Sequence, residues 1–212
     1  MTYARALRRG LWLEGLTAGW NLLEGAIAVA AGWAAASIAL VGFGVDSFVE
    51  TTSAVLVGWR LLQEFRARPS EQVEAIERRT SRIAGALLLV LALYIIVEAM
   101  RRLVGSGKRP AESIVGMVLT AVSLPVMVLL GRAKLKAAQA LSSPSLRADA
   151  YETLTCSWLS IATLSGLLLN AALGWWWADP AAALVLVPLI VREGTEGWNA
   201  GRVQKIEEIH QS

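Results

Sequence analysis

A run of apolar blocks, each about 20 residues long, constrains this chain more than any other feature. That is the length an α-helix needs to cross the hydrocarbon of a bilayer at a rise of about 1.5 Å per residue. Six blocks are read, at 11–33, 38–62, 83–104, 112–131, 144–174 and 180–198, with Arg192, Glu193 and Glu196 crowding the end of the last. Composition agrees. Of the 212 residues 55% are hydrophobic and 17% charged, and the mean hydropathy is +0.51. That leaves too little polar surface for a soluble domain of this size. The expected fold is an all-α membrane protein whose six transmembrane helices occupy residues 1–200. A short tail follows at 201–212, and GRVQKIEEIHQS is too little chain to build a core of its own. The single histidine, His210, reads as a solvated residue of that tail.

The basic residues set the orientation. With the N-terminus inside, sixteen of the twenty Lys and Arg residues fall in cytoplasmic segments, and Arg101, Arg102, Lys108 and Arg109 fall outside. This is a strong positive-inside bias. Both termini are therefore expected in the cytoplasm, in the plasma (inner) membrane, with the basic face against anionic lipid. The pI of 9.3 follows from this arrangement and gives no reason to expect a nucleic-acid partner. Arg5, Arg8 and Arg9 precede an apolar stretch too long for a signal-peptide core, so the first helix is expected to remain as an anchor.

The connections at 63–82 and 132–143 read as cytoplasmic, the first with a helical extension opening after Pro69. Ser143-Pro144 and Asp179-Pro180 each place a capping side chain before a proline at the first helical position. Gly25, Gly32, Gly42, Gly44 and Gly58 suit close packing of the first two helices. Trp12, Trp33, Trp59, Trp175, Trp176, Trp177 and Trp198 fall near helix ends, at interface depth.

The chemistry lies in the acids within these blocks. A charge at the bilayer centre costs about 2.5–3.5 kcal/mol on insertion scales and persists where it faces a bundle interior, water or an ion. Glu24, Asp46, Glu50, Glu98, Asp149 and Glu152 are such residues. Asp46 and Glu50, four apart in DSFVE, project from one helix face and repel each other unless a cation lies between them. Glu152 and Cys156, four apart in ETLTC, form a matching pair with Asp149 one turn earlier. At about 1.5 Å per residue from Pro144, Glu152 lies about 12 Å along its helix, a depth at which the two pairs can meet. Asp46, Glu50, Glu152 and Cys156 are thus a candidate four-ligand shell for a divalent metal. Cys156 alone would read as a packing residue, and its place one turn from Glu152 makes it a candidate ligand. Asn21 and Glu24 share a face in WNLLEG, as a surrounding shell, an entry site or interhelical bonding groups. Asp149 also belongs to that outer set, and Glu98 reads as structural.

Three segments together carry a family likeness: Asn21 through VGFGVDSFVE, SLRADAYETLTC, and ADPAAALVLVPLIVREG. They resemble the cation diffusion facilitator family over most of residues 15–198. The resemblance implies six transmembrane helices, cytoplasmic termini, a homodimer, and export of Zn²⁺ or related divalent cations in exchange for protons. It also implies a site made from a [HD]-x-x-x-D pair on each of the second and fifth helices. Asp46 and Glu50 match the first pair, and Glu152 and Cys156 fall on the second. This sequence departs from the pattern by Glu50 for Asp, by Glu152 and Cys156 for the usual His or Asp and Asp, and by the missing cytoplasmic C-terminal domain. The expectation is a transmembrane-only transporter, not an enzyme, carrying Zn²⁺ first, with Cd²⁺, Fe²⁺ and Mn²⁺ as other substrates compatible with thiolate and carboxylate ligands. Two other classes are compatible with the same residues: a non-transporting scaffold or metal sensor, and a proton-coupled carrier of a small organic cation.

Overall fold

The computed structural model describes residues 3–65, 71–105 and 110–199. Pro69, Lys108, Arg109 and the 201–212 tail with His210 lie outside the described residues. Six α-helices follow one another: α1 Tyr3–Ala35, α2 Ile38–Phe65, α3 Glu71–Leu103, α4 Ile114–Leu141, α5 Pro144–Leu173 and α6 Ala178–Asn199. Three stretches among the described residues, Ile38–Gln63, Ile114–Leu141 and Ser145–Leu173, are long and apolar enough by themselves to cross a membrane.

All six predicted blocks are helices, and α1, α3 and α4 extend well beyond them. The helical extension expected after Pro69 is the start of α3, into which EQVEAIERR runs without a break. The fourth helix does not stop at 131. It runs to Leu141, because AKLKAAQAL is made of strong helix formers, and Lys134 is carried into the bundle with it.

The exterior is apolar, and buried polar residues lie inside beside an apolar core that includes Leu40, Phe43, Leu88, Ile95 and Ile190. Trp12, Leu16, Leu22, Leu23 and Trp33 of α1, Val90, Leu93, Tyr94 and Val97 of α3, and Val185 of α6 are exposed. Inside lie Glu14, Thr17, Asn21, Glu24, Asp46, Glu50, Thr120, Ser123, Lys134, Asp149 and Thr153. A continuous apolar exterior of this kind would be an aggregation surface in water and is the ordinary surface of a protein in lipid.

α2 sits centrally, against α1, α3, α5 and α6, while α4 packs on α1 and α5, and α3 pairs with α6. Small residues let the first two helices approach. A Cβ at Gly25 would stand 2.9 Å from the Gly44 carbonyl oxygen, and one at Gly44 would stand 2.8 Å from the Val29 nitrogen.

The connections are short and capped. Ser143 accepts a hydrogen bond from the Leu146 N–H and Pro144 opens α5, as expected. Gly174 closes α5 in the left-handed region that glycine favours, at φ 65°. Asp179 does not cap its own helix. α6 already begins at Ala178, and the buried Asp179 carboxylate reaches across to the start of α2, accepting from the Ile38 N–H at 2.9 Å and from the Ser37 hydroxyl. The N-terminal N–H groups of α2 are buried and need an acceptor, and Asp179 supplies it. Arg102 completes this end of the bundle. Its guanidinium lies 3.9 Å from Asp179, bonds to the Ala36 carbonyl and takes Glu98 at 3.1 Å. Glu98 is therefore a structural ion-pair partner.

Candidate metal centre

α2 and α5 run antiparallel, and their polar residues meet in register. The Cys156 thiol donates to Asp46 Oδ2 at 3.2 Å. Seven residues further along α2, Ser53 Oγ stands 3.2 Å from Asp149 Oδ1, seven residues back along α5. Glu50 therefore falls level with Glu152. Ser53 also donates to Glu152 Oε2 at 2.8 Å. A serine has one hydroxyl proton, so the two carboxylates compete for it.

Asp46, Glu50 and Cys156 are buried, and Glu152 is half-buried. Among the described residues neither Glu50 carboxylate oxygen has a hydrogen-bond partner. An unpartnered buried carboxylate is costly, and such groups are retained where an ion or proton completes them. Among the described residues no three His, Cys, Asp or Glu side chains are gathered closely enough to clamp one ion. What the fold provides is donors on two facing helices at matching heights: Asp46 against Cys156, and Glu50 level with Glu152.

The outer set divides. Asp149 is engaged from two sides. Oδ2 takes the buried Lys134 ammonium of α4 and Oδ1 faces Ser53. Lys134 Nζ also lies 3.0 Å from Glu14 Oε2 of α1 and donates to Thr153 Oγ1 at 3.3 Å. Glu24 accepts from Ser47 of α2 at 3.4 Å and stands near Ser123 and Trp20, while among the described residues both polar atoms of Asn21 form no hydrogen bond.

The sequence reading missed four residues of this interior. Glu14 and Lys134 form the ion-pair cluster beside Asp149, Ser53 links Asp149 to Glu152, and Glu193 of α6 stands beside Asp46 and near Glu50. Periodicity could have found two of them. On α1 the buried positions run Gly10, Glu14, Thr17, Asn21, Glu24, Ala28. On α4 they run Met127, Leu130, Lys134, Ala138, Leu141. Both are steps of three or four, one helix face.

Residues 17–196 match the cation efflux transmembrane domain. The chain belongs to the cation efflux family. This is a family of transporters, and it agrees with the resemblance carried by the DSFVE and ETLTC segments. Among its relatives, an uncharacterised transporter of Synechocystis sp. is 28% identical over 154 residues, 70% of this chain and 48% of that protein. Cadmium, cobalt and zinc/H⁺-K⁺ antiporters of Bacillus velezensis and Bacillus subtilis are 28% and 26% identical over 113 residues, in each case 53% of this chain and 35% of the relative. The matched residues thus span about half the length of the first relative and about a third of the other two.

Proposed function

We propose that this cation efflux protein carries a divalent metal cation across the membrane, bound between α2 and α5 by Asp46, Glu50, Glu152 and Cys156. The observation that supports this most is the surplus of acid at the bundle centre. Asp46 and Glu50 of α2 face Glu152 of α5, with Glu193 of α6 beside Asp46, while the buried base Lys134 is engaged with Glu14 and Asp149. An interior of that charge, walled by apolar helices, asks for a cation. Loading draws the facing donors onto one ion, with α2 and α5 closing on it.

Zn²⁺ is the first substrate, since a thiolate among carboxylates favours it over harder ions, and the relatives named for cadmium, cobalt and zinc support the same class. Binding from the cytosol displaces protons from the ligands, and protonation from the other side releases the metal, so the carrier works as a proton-coupled exporter. Asp149 holds Glu152 through Ser53, and Asn21 and Glu24 flank the site from α1 without binding the metal. A homodimer with both termini in the cytoplasm, in the plasma (inner) membrane, belongs to the same proposal.

Uptake of ⁶⁵Zn²⁺ into inside-out vesicles tests the site. Asp46→Ala and Glu152→Ala are each expected to reduce uptake to the background of empty vesicles. Wild-type rates in either variant, at equal protein levels, would remove that residue from the site.

A further inference from the structure

On the Pro144 side of the candidate centre, the Lys134 ammonium sits in a pocket of oxygens. The side chain is 0% exposed. Asp149 Oδ2 accepts from Nζ, Glu14 Oε2 lies 3.0 Å away and Thr153 Oγ1 lies 3.3 Å away. Glu14 reaches Nζ through Oε2, at 3.0 Å, and among the described residues Oε1 has no hydrogen-bond partner. The oxygens come from α1 and α5, whereas the cation comes from α4, at the end of a flexible four-carbon stem. Two acids face one base, so the pocket keeps an acidic excess when the base is in place. An ammonium group is a compact point charge that offers its partners no fork geometry. What these oxygens recognise is therefore a monovalent cation of that size, and they do not depend on how the cation is attached.

We propose that Glu14, Asp149 and Thr153 form a monovalent-cation site that Lys134 fills from within the chain. Lys134 is a tethered ion. It denies the pocket to free cations. The assignment does not depend on what the protein transports.

Cutting off the stem turns a covalently supplied cation into one that must be bound, and a ligand that binds only the folded state raises its melting temperature with concentration. The test is thermal unfolding of the purified full-length Lys134→Ala chain in detergent, titrated with KCl against choline chloride at constant ionic strength. The expected result is a variant that melts below wild type in choline and recovers by several degrees, saturably, in K⁺. Wild type should gain nothing specific to K⁺. Adding Thr153→Val and Asp149→Asn to Lys134→Ala should abolish the K⁺ gain. If Lys134→Ala is not recovered folded, Lys134→Ala with Glu14→Gln removes one acid along with the base, keeps Asp149 and Thr153, and should show a K⁺-specific gain of the same sign. A folded variant of either kind that melts identically in K⁺ and choline would overturn the site, leaving Lys134 as an ordinary structural ion-pair partner.

Discussion

Cys156 and Asp46 touch across two helices and come from segments 110 residues apart. The chemistry of the proposed site rests on that contact. A thiol in the ligand set biases it toward softer divalent ions, and replacing it with a carboxylate removes the bias. Cys156→Asp is therefore expected to lower the preference for Cd²⁺ and Zn²⁺ over Mn²⁺ in competition uptake, and an unchanged metal profile would take Cys156 out of the shell. Asp179 belongs to a different part of the molecule. It holds the start of α2 and faces Arg102, so Asp179→Ala leaves the buried Ile38 N–H and Ser37 hydroxyl without their acceptor and removes the carboxylate beside the Arg102 guanidinium. Breaking a buried charged pair in this way costs about 3–5 kcal/mol. Thermal melts should show a large loss of stability, and an unchanged melting temperature would contradict the capping role. Asp46, Glu50, Glu152 and Cys156 were legible as candidates because i,i+4 spacing on two helices is a sequence property. The role of Asp179 was not, because Asp-Pro reads as a local cap and its partners, Ser37 and Ile38, are more than 140 residues away.

Helices were the readable unit of this chain, because a membrane span is set by length and apolarity. Their ends were less readable. Hydropathy falls at RAKLK, so the fourth block appears to stop there, but helix propensity continues to Leu141 and the charge of Lys134 is met by acids on α1 and α5. The buried stripes of α1 and α4 carry the signal that hydropathy hides: polar residues three or four apart on α1, and Lys134 in step with the buried face of α4, mark the bundle interior. Glu193 and Ser53 had no such signal, since one sits in a charged helix end and the other is one serine among many. The α1–α2 contact makes its own prediction. A Cβ at Gly44 would meet Val29 and Ala28 at 2.8–2.9 Å, backbone included. Gly44→Ala should push the helices apart, at a cost typical of overpacking, about 1–3 kcal/mol. Thermal melts in detergent check this, and a melting temperature equal to wild type would show that the contact has slack.

At the scale of the whole molecule, apolar residues face outward and the interior combines an apolar core with a set of buried polar groups. α2 lies at the centre of this arrangement, carrying Asp46 and Glu50 and touching four other helices. Movement of α2 against α5 would alter the distance between the two donor pairs, which gives the bundle a direct means of changing affinity for an ion as it changes shape. The most direct test of this account is metal flux in proteoliposomes holding the purified chain and a pH-sensitive dye. On an imposed Zn²⁺ gradient, the wild type is predicted to move Zn²⁺ with a counterflow of protons, and Asp46→Asn to move neither. Absence of Zn²⁺ flux in the wild type, or equal flux in Asp46→Asn, would contradict it.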